Sequence, residues 1–211
     1  MQESSAHQHR HAAHSPRGSL NWDEIYAGGP RWDIGRPQPA FLALAEAGAI
    51  AGRVLDVGCG TGEHVLMCAG LGLEATGVDI SAAAISAAQR KAQLRGLTAR
   101  FLRHDARRLA DLGESFDTVL DSGLLVHVID DDSDRVAYLS GLRAIVATGG
   151  RYFVLCFRAH QDASRGRHLL VDDVTACFAD GWRVDATGPV LLDSLIDPDG
   201  VPAWRVALTR T

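Results

Sequence analysis

The chain has 211 residues, 46% of them hydrophobic, and a formal net charge of −5. That length fills one α/β domain and is short for two, while an acidic balance without Lys/Arg clusters argues against nucleic-acid binding, which depends on neutralising phosphates. No apolar run approaches a membrane span and the N-terminus lacks the apolar core of a signal peptide, so a cytoplasmic protein with no nucleic-acid or membrane partner is expected.

In chain order, residues 1–18 are polar, with His7, His9, His11 and His14 among Ser, Gln and Arg. Such a composition cannot bury enough surface to offset its ordering entropy, so a disordered tail is expected ahead of a single domain over residues 19–211. Clustered histidines can hold a transition metal, but a solvated tail or expression remnant is the simpler reading and no metal is assigned. From Leu20 the text becomes N-W-D-E-I-Y-A-G-G-P-R-W-D-I-G-R-P-Q-P. Its Gly and Pro content predicts neither regular helix nor central strand. Trp22, Tyr26 and Trp32 in such a segment must cover something, either the sheet edge or a ligand.

Phe41 to Ala49 reads as a short helix and Arg53 to Val57 as the first strand, which runs into V-G-C-G-T-G-E-H. An apolar run that ends at Asp56 and meets Gly58, Gly60 and Gly62 predicts a buried strand stopping at a turn suited to glycine, with a helix starting near Thr61. Glycines there let a ligand approach the backbone, and the helix aims unpaired N–H groups at it. The dinucleotide fingerprint is G-x-G-x-x-G, whereas this turn is G-x-G-x-G. After a helix over Glu63 to Leu71, the run from Glu74 ends at Asp79, 23 positions beyond Asp56. A carboxylate there can accept both hydroxyls of a ribose, which leaves both ligand classes open at this point.

Ser81 is the expected N-cap of a helix reaching Leu94, with Gly96 as its stop. Ala99 to Arg103 is the third strand and leads into His104, Asp105 and Ala106, where a carboxylate can take an adenine amino group. Phe116 to Leu120 is the fourth strand. Ligands of open α/β sheets lie beyond the strands' carboxyl ends, so Asp121, Ser122 and His127 should line the crevice floor. A helix over Asp132 to Ala147, a T-G-G turn, a fifth strand over Arg151 to Phe157 and a helix over Val171 to Ala179 follow. Two β-like runs, Trp182 to Val190 and Ala203 to Thr209, are expected to pair as an antiparallel hairpin. Strands alternating with helices imply a mostly parallel sheet. Cys59, Cys68, Cys156 and Cys177 form no C-x-x-C pair and are expected as reduced, mostly buried thiols.

D-V-G-C-G-T-G resembles the first motif of class I S-adenosylmethionine-dependent methyltransferases. With W-D-x-x-Y, P-R-W-D-I-G-R-P-Q-P, V-D-I-S, D-S-G-L-L-V-H-V and L-C-F-R, the chain from Asn21 to Thr211 resembles their thiopurine methyltransferase-like branch, which includes bacterial heterocycle and halide methyltransferases. The resemblance implies a Rossmann-like α/β fold whose seven-stranded sheet has the order 3-2-1-4-5-7-6, strand 7 antiparallel, with helices on both faces. It implies S-adenosylmethionine as cofactor, held by Asp56, Gly58, Cys59, Gly60, Thr61, Gly62, Asp79, Ile80, Asp105, Ala106, Asp121 and Ser122. It also implies a lid of about residues 20–40 whose Trp22 and Trp32 close over the donor, where aromatic faces can attract a sulfonium. Where thiopurine methyltransferases have D-R-G and L-V-A-I, this chain has Ser122 and His127, a departure that points away from thiopurines themselves.

Methyl transfer from a sulfonium asks mainly for alignment and desolvation. The expected acceptor is a small molecule methylated on S, N or O, a heteroaromatic or a thiol. His127 is the candidate base for a protonated acceptor; the alternative is a histidine that only hydrogen-bonds its loop. Tyr26, Asp33, Arg36 and Arg158 are candidates to orient the acceptor, and the loop from Ala159 to Leu170 is a candidate lid. Two rival readings remain at this point: a nicotinamide-dependent oxidoreductase, and a non-catalytic domain that only binds the methyl donor. Oligomeric state is not legible.

Overall fold

The computed structural model describes residues 20–129, 131–157 and 170–211. The histidine-bearing tail, Arg158 and the 159–170 loop apart from Leu170 therefore lie outside the described residues. Seven helices, α1 (Trp22–Ala27), α2 (Pro39–Glu46), α3 (Glu63–Gly70), α4 (Ala82–Arg95), α5 (Leu125–Val128), α6 (Asp132–Ile145) and α7 (Val171–Ala176), occur among them. The strands are β1 (Arg53–Val57), β2 (Glu74–Asp79), β3 (Arg100–Arg103), β4 (Phe116–Ser122), β5 (Val146–Phe157), β6 (Trp182–Leu192) and β7 (Val201–Arg210). They form one sheet in the order β3-β2-β1-β4-β5-β7-β6, with β7 antiparallel to both neighbours. This is the expected order.

Strand alternation sorts the core onto the two faces of the sheet. Val54, Leu120, Phe153 and Leu155 pack with Phe41 of α2, Leu66 of α3 and Ala88 of α4. Leu55, Val119, Tyr152, Val154 and Cys156 pack with Tyr138 and Leu142 of α6 and Val174 of α7. Both faces are covered, as an α/β sheet requires. No helix among the described residues is long and apolar enough to cross a membrane.

Three local expectations need correction. The Trp22 segment is helical over Trp22–Ala27, because Asn21 accepts the Glu24 N–H as an N-cap and Asp23 and Glu24 suit the positive first turn. The glycines that suggested a loop come after it. T-G-G does not separate α6 from β5: the strand runs through it from Val146, absorbing the surplus residues as an irregularity between Phe116 and Thr118 of β4. Between β3 and β4 a 3-10 helix, Ala106–Leu112, was not anticipated; Asp105 caps it by accepting the Arg107 N–H.

Candidate functional site

The glycine turn between β1 and α3 is tied down by β2. The Gly58 and Cys59 N–H groups both donate to Val78 O, at 2.8 and 2.9 Å. At the end of β2, the buried Asp79 carboxylate accepts Gly60 N–H on Oδ2 at 2.9 Å and Ser81 N–H on Oδ1 at 2.8 Å. Each oxygen keeps a lone pair for a further donor. Burial raises the Asp79 pKa, the two amides oppose the shift, and the nearby Asp56 charge adds to it.

Gly60 and Gly62 have positive φ, +52° and +88°. A Cβ on Gly62 would stand 2.7 Å from Phe101 and 2.8 Å from the Ala88 Cβ; one on Gly60 would stand 2.8 Å from the Tyr26 hydroxyl oxygen. Gly62 is thus required by packing, and Gly60 by the approach of whatever lies over the turn.

Asp56 is buried, and neither of its oxygens has a hydrogen-bond partner among the described residues. His64 Nδ1 stands 3.5 Å from Oδ2, near enough for attraction but outside hydrogen-bond geometry. His64 Nε2 accepts the Gln38 N–H at 3.2 Å, which puts the ring proton on Nδ1, facing Asp56. An orphaned buried carboxylate is costly unless a ligand's cationic group completes it. The start of α3 carries Glu63, buried and held by Lys91 at 2.8 Å and by both nitrogens of Arg95. The cradle therefore offers a ligand the orphaned carboxylate of Asp56 and the spare lone pairs of Asp79.

Residues 20–38 form a strap over this cradle. Asp23 accepts from Ser81 Oγ at 2.7 Å and from the Ala83 N–H at 3.1 Å, so α1 caps the start of α4. Tyr26 meets Trp32 edge-on at 6.5 Å, and burial, with the Asp79 charge nearby, pushes the Tyr26 pKa far up. Trp22 meets Trp32 edge-on at 6.5 Å and His127 edge-on at 5.1 Å. Neither tryptophan belongs to the two core clusters. His127 lies exposed in α5, and desolvation by its neighbours lowers its pKa.

Several candidate residues are placed otherwise than the sequence suggested. Asp121 is fully buried and accepts from Leu124 N–H, Leu125 N–H, Tyr138 Oη and Tyr152 Oη, so it braces the loop after β4 and has nothing left for a donor molecule. Asp33 accepts Thr61 Oγ1 at 2.6 Å, with Lys91 behind Thr61 at 2.6 Å; Arg36 pairs with Asp193 at 2.8 Å. Both therefore anchor the strap to its surroundings and do not point at an acceptor. Asp105 is at the end of β3 as expected, but Arg107 grips it at 2.6 to 3.0 Å and joins it to Asp134 of α6. Cys59 is buried, and burial with the charges of Asp56 and Asp79 pushes its thiol up, which removes it as a nucleophile. Ile80 is partly exposed just after β2, and Ser122 ends β4 half-buried. Asp23, Lys91 and the pairing of Gln38 with Asp193 went unassigned in the sequence; only Asp23 left a trace, as the second letter of W-D-x-x-Y.

Residues 54–150 match the methyltransferase domain family. The 2-heptyl-1-hydroxyquinolin-4(1H)-one methyltransferase of Mycobacteroides abscessus is 34% identical over 173 residues, covering 80% of this chain and 75% of that protein. The chain belongs to the class I S-adenosylmethionine-dependent methyltransferases. This methyltransferase also resembles a structure solved in work on the conversion of a disulfide bond into a thioacetal group during echinomycin biosynthesis, with TM-score 0.80, 37% identity, and 90% and 91% of the two chains covered. The magnesium protoporphyrin IX methyltransferase of Synechocystis PCC 6803, solved with S-adenosylmethionine bound, aligns with TM-score 0.62 and 25% identity over 82% of this chain and 76% of its own. The cofactor is S-adenosylmethionine, and the oxidoreductase reading is set aside.

Proposed function

We propose that this methyltransferase acts on a protonated heteroatom, a hydroxyl oxygen or ring N–H, of a small heteroaromatic, with His127 taking the acceptor's proton as the methyl group leaves the donor sulfur. The observation that carries the reading is the place of His127, exposed in α5 with its ring edge-on to Trp22 at 5.1 Å, against the strap that covers the cradle. The M. abscessus relative, whose name specifies a hydroxyquinolone, supports that acceptor class. The motifs spread from Asn21 to Thr211 support a place in the thiopurine methyltransferase-like branch.

S-adenosylmethionine supplies an electrophilic methyl group on a positive sulfur. Gly58 and Gly60 would let its amino-acid arm lie against the backbone, with the orphaned Asp56 as the nearest uncompensated negative charge. Asp79 would accept the ribose hydroxyls on its free lone pairs, and Ile80, Asp105 and Ala106 would border the adenine. Trp22 and Trp32 would exclude water at the mouth, which leaves alignment and one proton transfer as the protein's work.

A sulfur acceptor is the second reading, favoured by the 37% identity to the structure from the disulfide-to-thioacetal conversion. A thiolate is already ionised and needs no base. Turnover on a panel of hydroxyquinolones, phenols, azaheterocycles and thiols, each with S-adenosylmethionine, tests both. Turnover confined to thiols would overturn the first reading, and binding of the donor without turnover on any of them would overturn both.

A further inference from the structure

We propose that Asp121 is a positioning residue for the acceptor side of the site: its carboxylate holds the start of the one-turn helix α5, and through it the His127 ring against the strap, and taking up a proton loosens that hold. The proposal rests on the reading of His127 as the acceptor's base and adds what governs the place of that base.

α5 spans only Leu125–Val128, and its N-cap, Leu124, has no side-chain group to offer. A single helical turn is not stable by itself, so its start depends on what takes its unpaired amides. Asp121, the last but one residue of β4, takes them: Oδ1 accepts Leu124 N–H at 2.8 Å, and Leu125 N–H is shared between the two oxygens at 3.3 and 3.2 Å. Leu124 O in turn accepts His127 N–H at 2.8 Å, and the His127 ring meets Trp22 edge-on at 5.1 Å. Two hydrogen bonds thus lead from the carboxylate to the histidine backbone. The far end of α5 is fixed separately, by Arg135 of α6 donating to Ile129 O at 2.9 Å and by Val128 and Ile129 in the core.

The remaining partners of Asp121 are hydroxyls. Tyr138 of α6 and Tyr152 of β5 donate to Oδ2 at 2.7 and 2.8 Å, with their own oxygens 3.4 Å apart. As an anion the carboxylate meets these four donors with its lone pairs. When it takes a proton, a tyrosine hydroxyl can turn round and accept, but an amide cannot. The amides are left on a neutral acceptor, whose hydrogen bonds are about half as strong as those to a charged one, so the loss falls on α5. Burial raises the Asp121 pKa to about 6, which places the change within the range of an assay. The other titratable groups facing it, Tyr138, Tyr152 and the Cys156 thiol of β5, are pushed up by burial and by the Asp121 charge and stay protonated there, while the Asp56 charge of β1 acts on Tyr138.

NMR from pH 4.5 to 8 tests this, following the Asp121 carboxyl carbon, the His127 ring (assigned by its loss in His127→Gln) and exchange of the Leu124 and Leu125 amides. In wild type the His127 ring should show an inflection at the Asp121 titration, and the two amides should gain about fivefold or more in protection as Asp121 ionises. Asp121→Asn, neutral throughout, should show neither. Tyr152→Phe removes one donor to the carboxylate, so the Asp121 inflection should move to higher pH and the matching His127 inflection with it. Wild-type amides or a His127 ring indifferent to the Asp121 titration, the same changes in Asp121→Asn, or a His127 inflection that stays behind in Tyr152→Phe overturns the proposal. With phenols and hydroxyquinolones as acceptors, Asp121→Asn at pH 7.5 should lose about fivefold or more in kcat, with calorimetric S-adenosylmethionine affinity unchanged, and the deficit should close as pH falls to 5. An equal deficit at both pH values makes Asp121 a structural brace and overturns the positioning role. Turnover of none of these acceptors removes the proton-transfer reading, and the NMR titration still decides whether Asp121 holds α5.

Discussion

At Asp79 a buried carboxylate accepts from two backbone amides, one on each oxygen, and keeps lone pairs for further donors. If ribose hydroxyls complete it, losing the charged acceptor should cost roughly 1.5 to 3 kcal/mol. Asp79→Ala should therefore weaken S-adenosylmethionine by about tenfold or more, measured by calorimetry on folded protein, and unchanged affinity would remove Asp79 from the donor site. Gly60→Val should be at least as damaging, since a Cβ there meets the Tyr26 hydroxyl at 2.8 Å and φ is +52°. His127 contributes differently. Its pKa is depressed, so the base form is already present at neutral pH and wild-type turnover should fall only on acidification through that lowered value. His127→Ala should lose about 10² to 10⁴ in rate on a protonated acceptor, with the deficit shrinking as pH nears the acceptor's own pKa and donor affinity nearly intact. If a thiolate acceptor suffers as much as a phenol, His127 only positions.

Among the elements, the strap stands apart. α1 has no buried residue, so it is held by polar anchors and aromatic edges: Asp23 on α4, Asp33 on Thr61, and Arg31, Arg36 and Gln38 on the loop after β6. Elements with few buried contacts open at low free-energy cost. A ligand beneath the tryptophans should shift that equilibrium, so amides of residues 22–34 should gain hydrogen-exchange protection with S-adenosylhomocysteine. Equal exchange with and without it would make the strap a fixed wall. Asp23→Ala removes the α4 cap that the strap supplies, and should raise exchange in α1 of the ligand-free protein while leaving β1 and β4 unaffected.

For the molecule as a whole, Asp121 at the junction of β4, β5 and α6 is the most consequential buried charge. Burial outweighs the hydrogen bonds from Tyr138, Tyr152, Leu124 and Leu125 and raises its pKa to about 6. Between the ordinary carboxylate pKa of about 3.9 and that value, the native protein keeps a proton that the unfolded chain has lost. Stability from this group is thus full below about pH 4 and lost as pH rises through about 6, by about 3 kcal/mol in total. Urea denaturation of wild type and Asp121→Asn from pH 4 to 7.5 should show wild type losing this increment relative to the variant. Parallel pH profiles would mean that Asp121 is ionised in the native state throughout.

The amino-acid sequence by itself determined the alternation of strands and helices, most strand bounds to within a few residues and the glycine turn, because those follow from short-range rules, whereas the sheet order came from the family resemblance. β1 begins and ends at Arg53 and Val57, Ser81 caps α4, and Gly96 stops it, as period and capping chemistry dictate. Asp56 near the end of β1, Asp79 at the end of β2 and Asp105 just after β3 take their places for the same reason. Tertiary structure alone decided what those carboxylates meet. Asp134 of α6 joined to Asp105 through Arg107, two tyrosines on Asp121, and no hydrogen-bond donor on Asp56 among the described residues depend on contacts that no local pattern encodes. The strap was misread for a related reason: Gly and Pro dominate its composition, but a single asparagine cap suffices to start α1, and its docking comes from charges up to 157 positions away. Short-range periodicity fixes which element a residue joins, whereas the partner of a polar side chain is set by which distant segments the sheet brings together.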